Sequence, residues 1–447
     1  MKASAYTVPV ELAEAGVLLL YNTRSGALLE FPLAQRADVD AALAAPREGD
    51  ALAGELARLG FLVEDDADEL ALLEAAYRGA RDDRTRLALT IAPTVNCNFR
   101  CTYCYQEHPE TKMGAAVQEA LVERVRAGVA EGRDVHVTWF GGEPLLALDV
   151  VESLSRRFIA LADAAGVRYG AGMITNGSLL TRETAERLRA LRIDGVQVTL
   201  DGPAEVHDGR RFKVGGKPTF ETIVENLQAI ADLLDVALRI NCDQDNRDRV
   251  LELLDELEAR GLRGRVRPYV AAVGDYTEVC ADVAGTCMSS AEFSAFEAET
   301  MLAMHRRGWG VPRRPEPIDS VCIADKASGA VVDPAGRVYK CWNDLTRPRE
   351  AVGHLQLIPT IEMKKKAEKW ERWSPFRLPE CRACVMLPVC MGGCAFEAMK
   401  APAPTRGDCT HWKHSLPEVL ALQYLEIERA RFDEALAAAL ESHQWTR

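Results

Sequence analysis

Long hydrophobic runs are missing from this chain: stretches such as Val17 to Leu20 are far short of the roughly 20 apolar residues that cross a bilayer. A membrane-spanning helix is therefore excluded, and no membrane partner is expected. The opening residues MKASAYTVPVELAEAG lack a basic region, an apolar stretch and a small-residue cleavage site, so no secretory signal is expected and the location reads as cytoplasmic. Dense basic stripes are also lacking apart from Lys364 to Lys366, and the net charge is −13, which argues against a nucleic-acid partner. No internal repeat or low-complexity tract stands out. What the chain does have is cysteine, thirteen in all. In a reducing compartment structural disulfides seldom persist, so that number points to metal.

At 447 residues, with 48% apolar and 27% charged, the chain is long enough for two or three domains around a large core. Residues 1–85 read as a small unit. GVLLLYNTRSGALLEFP gives two short strands joined at Arg24-Ser25-Gly26, followed by two helical stretches, the second ALAGELARLG, and a short strand at Phe61-Leu62-Val63. This is the pattern of a winged-helix-like module. Strand and helix signals then alternate six times, on LALTIAPT, VHVTWFGG, AGMITNG, GVQVTLDG, VALRINCD and RVRPYVAAV. Such alternation predicts an α/β fold with parallel βα units, a partial (β/α)6 barrel over 86–310 with its reactive residues at the C-terminal strand ends. Residues 311–415 turn rich in Cys, Pro, Gly and Arg, as loops wrapped around metal would be, and 416–447 read as a long helix.

The first strand runs into Cys97-Asn98-Phe99-Arg100-Cys101-Thr102-Tyr103-Cys104, three cysteines spaced x3 then x2 on one loop. Three thiolates hold three irons of a four-iron cube and leave the fourth open to a ligand that is not protein. A zinc site is the alternative, with His108 as the nearest fourth ligand. Further motifs fall at successive strand ends: Gly141-Gly142-Glu143-Pro144, Thr175-Asn176-Gly177, and Thr199-Leu200-Asp201-Gly202-Pro203 with His207, Asp208, Arg210 and Arg211 behind. Taken singly, each is an ordinary turn or a surface ion-pair cluster.

Together CNFRCTYCYQ and these strand ends resemble the radical S-adenosylmethionine (SAM) superfamily. The resemblance implies a [4Fe-4S] cluster on Cys97, Cys101 and Cys104 whose open iron chelates SAM, with a 5′-deoxyadenosyl radical released on reduction. It also implies SAM contacts from Tyr103, Gly141, Gly142, Glu143, Pro144, Asn176 and Thr199, Glu143 meeting the ammonium, and a low-potential reductant such as flavodoxin or ferredoxin. The later cysteines read Cys322, thirteen residues, Gly336, four residues, Cys341, then Cys381-x2-Cys384-x5-Cys390-x3-Cys394, then Cys409. This resembles the SPASM pattern. By that resemblance Cys381, Cys384, Cys390 and Cys409 hold one auxiliary [4Fe-4S] cluster, and Cys322, Cys341 and Cys394 the other, three clusters in total. An eighth cysteine found in several relatives is lacking near Glu316, so Cys280 or Cys287 is the candidate fourth ligand, or one iron stays open. Cys242 reads as a core residue.

SPASM proteins mostly modify peptides, and the N-terminal module resembles the element that grips leader peptides by adding them as a strand. The expected function is a peptide maturase that crosslinks a precursor peptide, most simply as a Cys thioether. Replacing C–H and S–H with C–S removes two electrons, which auxiliary clusters can accept. A carbon–carbon crosslink needs the same sink, and epimerisation does not. The alternative is an anaerobic sulfatase-maturating enzyme that makes formylglycine. Asp201 and Tyr105 are the candidates for proton handling.

Overall fold

The computed structural model describes residues 1–310, 314–400 and 409–442, with side chains described to Arg431. Residues 311–313 and 401–408 of the expected Cys-rich domain, and 443–447 of the expected final helix, lie outside the described residues.

The N-terminal unit begins with β1 (Lys2–Ala3) and a three-stranded antiparallel sheet of β2 (Thr7–Leu12), β3 (Val17–Asn22) and β4 (Leu28–Pro32), in the order β2-β3-β4. All of β3 is buried because both its faces are covered. Leu18 and Leu20 meet Val39, Leu56 and Phe61 from helices Arg36–Ala44 and Ala51–Arg58 and the turn beyond them. Val17, Leu19 and Tyr21 point the other way, onto Met386, Val389, Leu416 and Leu420. Strand period two thus assigns alternate residues to two separate cores. β5 (Leu62–Val63) returns to pair with β1, and helix Glu69–Asp82, capped by Asp68 on the Ala71 amide, leads onward.

Six parallel strands follow: β6 (Arg86–Ile91), then, after the short β7 (Phe99–Cys101), β8 (Asp134–Trp139), β9 (Tyr169–Ile174), β10 (Ile193–Thr199), and, after β11 (Arg211–Lys213), β12 (Asp235–Cys242) and β13 (Arg267–Ala272). Their order is β13-β12-β10-β9-β8-β6, that of successive right-handed βα units laid side by side. Helices Ala115–Ala130, Leu148–Ala165, Arg182–Ala190, Phe220–Ile230, Val250–Ala259 and Ser290–Arg306 follow them in turn. One core of Val, Leu and Ile from strands and helices holds this layer together, and Cys242 lies within it. The expected partial barrel is present.

The sheet does not stop at residue 310. β14 (Ala330–Val332) pairs in parallel with β6, and β15 (Arg337–Tyr339) and β16 (Gly353–His354) extend it antiparallel. The Cys-rich region is therefore continuous with the barrel sheet beside the strand that feeds the first cysteines. Helix Trp412–Ser442 follows, with non-helical backbone at Ser415 just before Pro417.

Candidate active site

The first cysteine triad sits on a loop fixed from two sides. On one side β7 pairs antiparallel with β11, placing Arg211 opposite Cys101. On the other, the Gly141-Gly142 turn at the end of β8 lies under the segment leading into Cys97. Gly142 N–H donates to Thr94 O at 3.3 Å and Glu143 N–H to Asn96 O at 2.9 Å. A Cβ on Gly142 would stand 2.2 Å from Asn96 O, and one on Gly141, whose φ is +129°, 2.2 Å from Thr94 O. Only glycine permits this approach. The close approach that these glycines allow is thus to the chain's own cysteine loop.

Glu143 is completely buried. Its carboxylate accepts hydrogen bonds from Thr175 Oγ1 (2.7 Å), Asn176 N (2.7 Å) and Leu145 N (3.0 Å), joining the ends of β8 and β9. Burial raises its pKa, against the pull of those donors. Pro144 is buried at the start of the following turn. Asn176 Nδ2 donates to Asn98 Oδ1 (2.8 Å) and lies 3.9 Å from Cys97 Sγ, while Asn98 Nδ2 donates to Ser178 Oγ (3.0 Å). Thr199 is buried at the end of β10.

Beyond β10 lies a buried polar network. Tyr103 Oη donates to Asp201 Oδ2 at 2.6 Å and accepts from Arg211 Nη1 (2.6 Å) and Asn241 Nδ2 (3.0 Å). Burial pushes the Tyr103 phenol well above its usual value, so it stays a donor. Asp201, with no exposed surface, also accepts from Asn241 N (3.2 Å), and its carbonyl accepts from Asn246 Nδ2 (2.6 Å). Arg210 makes a two-pronged contact with Asp243 at 3.1 and 2.8 Å. His207 is buried behind: Asp201 N–H donates to its Nδ1 at 3.2 Å, and its Nε2 meets Thr219 Oγ1 at 3.0 Å. Burial, reinforced by Arg211 and Arg210, holds His207 well below its ordinary pKa and therefore neutral. Tyr105 stands apart, half-buried and edge-on to Tyr276 with centroids 5.7 Å apart, its backbone carbonyl taking a hydrogen bond from Thr277. Both Cys104 and Cys341 act on its phenol.

Asn98, Ser178, Asn241, Asp243 and Asn246 were not singled out from the sequence. The segment NCDQDN at the end of β12 carries three of them, and it obeys the same rule as TNG and DGP: polar residues clustered at a strand end.

The donor set suits a cluster. Burial pushes the Cys97 and Cys104 thiols up to about 12 and raises Cys101 as well, and a bound metal would favour their thiolate form. Beside Cys101, Arg210 Nε faces Asp201 Oδ2 at 3.6 Å, while Arg211 Nε is buried without a hydrogen-bond partner. An unpaired guanidinium donor next to the triad suits a carboxylate-bearing ligand. Cys381, Cys384, Cys390 and Cys409 line one small cavity with Met386 and Leu387. Burial raises the Cys341 thiol well above its usual value and pushes Cys322 up to about 11. Among the described residues no group of three His, Cys, Asp or Glu is arranged around a single metal ion; in a four-iron cube each cysteine binds a different iron. Cys280 is engaged locally, donating to Thr277 O at 3.3 Å and acting on Cys104, while Cys287 and Cys394 both act on Tyr276.

Residues 91–257, from the end of β6 into helix Val250–Ala259, match the family model of the Radical SAM superfamily. The chain carries a radical SAM domain. It is 27% identical to the GTP 3′,8-cyclase of Sulfurimonas denitrificans over 229 residues, 50% of this chain and 64% of that protein, so it spans less than two thirds of that relative. With the serine-type anaerobic sulfatase-maturating enzyme of Klebsiella aerogenes it shares 25% identity over 67% of this chain and 76% of that one. Two solved structures share the fold: anSMEcpe with bound AdoMet and Cp18Cys peptide (TM-score 0.58, 18% identity, 78% of this chain and 99% of that one), and Streptococcus suis SuiB bound to precursor peptide SuiA (TM-score 0.52, 14% identity, 91% and 98%). A radical SAM domain implies SAM and a four-iron cluster, for which Cys97, Cys101 and Cys104 are the candidate ligands. Bound there, the pair would supply radical chemistry for removing hydrogen from an unactivated C–H. The radical SAM domain itself orients Cys101 through the β7–β11 pairing and Cys97 through Asn176, Asn98 and the glycine turn. No helix among the described residues is long and apolar enough to cross a membrane.

Proposed function

We propose that this radical SAM enzyme is a peptide maturase: it captures a ribosomally made precursor through residues 1–85 and joins a Cys sulfur to a peptide carbon as a thioether. The observation that carries this reading is the N-terminal sheet β2-β3-β4, which has its own core and leaves β4 unpaired on its outer edge among the described residues. An extended peptide adds to such an edge by main-chain hydrogen bonds. The SuiB match supports the reading, since it leaves only about forty residues of this chain uncovered, fewer than the module contains. Forming C–S from C–H and S–H removes two electrons and two protons: one hydrogen atom goes to the 5′-deoxyadenosyl radical, the thiol gives up its proton, and the remaining electron is taken by an auxiliary [4Fe-4S] cluster, for which the two further cysteine sets are the proposed sites. Tyr105, between Cys104 and Cys341, is the proposed proton-handling group, and Asp201 acts through Tyr103 as a positioning residue. Glu143, Asn176 and Thr199 are proposed to flank SAM, and a flavodoxin or ferredoxin to supply the electron.

The sequence relationship to the sulfatase-maturating enzyme supports a second reading, oxidation of Cys or Ser to formylglycine on a protein substrate. Anaerobic coexpression with short peptides encoded beside the gene, followed by mass spectrometry before and after thiol alkylation, separates the two. Loss of two hydrogens together with one alkylatable Cys establishes the thioether. Unmodified peptides in the presence of 5′-deoxyadenosine production overturn it in favour of the protein substrate.

A further inference from the structure

Alternate residues of the parallel strands face opposite ways. On β10, β12 and β13 one set, with Val196, Val198, Leu238, Ile240 and Val270, is buried in the core shared with the helices. The other set lines the inside of the partial barrel, where Gln197, Ala237, Arg239, Tyr269 and Ala271 are only half-buried. This inner face is open. Among the described residues these three strands place two arginines on it, at different heights. Arg267, at the start of β13, pairs with Asp235 of β12. Arg239 stands level with Thr199 of β10 and Tyr269 of β13, and it takes part in no ion pair among the described residues.

Arg239 is held from two sides. Its Nε–H donates to Asn241 Oδ1 at 2.6 Å, and its guanidinium carbon lies 6.0 Å from the centre of the Tyr269 ring. Tyr269 is itself fixed by its hydroxyl, which donates to Gln197 Oε1 at 2.7 Å. Asn241 donates in turn through Nδ2 to Tyr103 Oη at 3.0 Å, so two hydrogen bonds connect Arg239 to the loop of the first cysteine triad. With Nε committed, the two Nη groups remain as a free fork that meets no acceptor among the described residues. A planar fork of this kind matches the two oxygens of a carboxylate. Because the head is already oriented, little side-chain freedom is lost when such a ligand binds.

We infer that Arg239 binds a carboxylate of the substrate inside the barrel, so that the peptide carries an acidic group close to the residue that reacts. The inference rests on the reading of this enzyme as a peptide maturase and names the substrate class of that site. SAM also bears a carboxylate, and a separate donor is available for it: Arg211, in register opposite Cys101, has its Nε buried without a partner. Two arginines at two places suit two carboxylates. An Asp or Glu side chain and the C-terminus of the peptide would offer the fork the same two oxygens. Arg239 contributes binding and orientation, and so determines which peptides are accepted.

The test is a double-mutant cycle with anaerobically reconstituted full-length enzyme, SAM, dithionite and a purified peptide from those encoded beside the gene. Wild type and Arg239→Gln are each given the parent peptide, a series in which one Asp or Glu at a time becomes Asn or Gln, and the peptide with an amidated C-terminus. Arg239→Gln is expected to raise KM for the parent peptide about tenfold or more, and one altered peptide is expected to have the same KM with both enzymes. That peptide names the carboxylate, a side chain or the C-terminus. Arg239→Lys, which keeps the charge without the fork, should recover part of the loss, and it carries the same cycle should the Gln variant fail to load iron. Loss of iron in both variants makes Arg239 a structural residue and overturns the inference. An unchanged KM for the parent peptide in Arg239→Gln overturns it, as does a cycle that is additive for every peptide. A raised KM for SAM with an unchanged KM for peptide assigns the fork to SAM and overturns it too. Wild type that forms 5′-deoxyadenosine but modifies none of the peptides overturns the maturase reading, and this inference with it.

Discussion

Tyr103 and Asp201 are joined by a 2.6 Å hydrogen bond that ties the loop of the first cysteine triad to the end of β10. Tyr103 lies between Cys101 and Cys104, so whatever fixes its ring also fixes the two sulfurs on either side. The same hydroxyl accepts from Arg211 and Asn241, which makes it the meeting point of β7, β10, β11 and β12.

Tyr103→Phe removes the central atom of this network and leaves the Asp201 carboxylate, Arg211 and Asn241 each one partner short. With buried charged groups affected, the expected loss is about 1–3 kcal/mol of stability. Anaerobic chemical denaturation checks it, and a midpoint equal to wild type would show that the network is not tight. SAM cleavage is expected to fall further than stability does, since Arg211 loses its anchor beside Cys101.

Gly142→Ala places a methyl group where Asn96 O stands, at 2.2 Å, and backbone on both sides leaves it nowhere to go. The cysteine loop must move, so the first site should lose its iron while absorbance from the later cysteine sets persists. Iron analysis with visible spectroscopy measures this. Wild-type iron content in the variant would mean that the loop tolerates displacement.

The six βα units were legible because each apolar strand is followed by an amphipathic helix, and β3 and β4 because VLLLY and ALLEF flank a Gly-containing turn. β2 was not, since TVPVEL carries Pro9 and reads as weak; in an antiparallel sheet with a free side that proline is tolerated. β14 to β16 escaped for another reason. They are two or three residues long, and β14 joins the main sheet by pairing with β6, some 240 positions earlier. The loop carrying the first cysteine triad was legible from its place after a strand, whereas the Tyr103 network depends on side chains at the ends of several strands meeting, which no local pattern announces.

His207 gives a pH prediction. In the unfolded chain it takes a proton near 6.5, whereas in the folded protein burial keeps it neutral well below that value. The unfolded state therefore binds more protons as the medium becomes acidic, so stability is intact above about pH 6.5 and declines as pH falls through that value. His207→Gln, which keeps a donor for Thr219, should show a shallower acid loss between pH 7.5 and 5.5 in anaerobic thermal denaturation. Parallel curves for the two proteins would remove His207 as the source.

Removing a later cysteine should loosen the N-terminal sheet at a distance along the chain. Val10, Val17, Leu19 and Tyr21 share a core with Met386 and Val389, and Cys384 packs against it. Thr23 Oγ1 also donates to Val385 O at 2.5 Å. The segment from Cys381 to Cys390 has little regular structure, only two four-residue helices, so its shape depends on whatever binds its thiols. Freed of that constraint in Cys384→Ala, it can no longer present Met386 and Val389 as a fixed surface, and one face of β3 loses its cover. Amide exchange in Thr7–Leu12 and Val17–Asn22 should speed up, while the barrel strand Asp134–Trp139, whose core is separate, keeps its protection. Equal protection of β2 and β3 in the two proteins would mean that the N-terminal module stands without the cysteine-rich segment, and that its contact with Met386 and Val389 adds no stability.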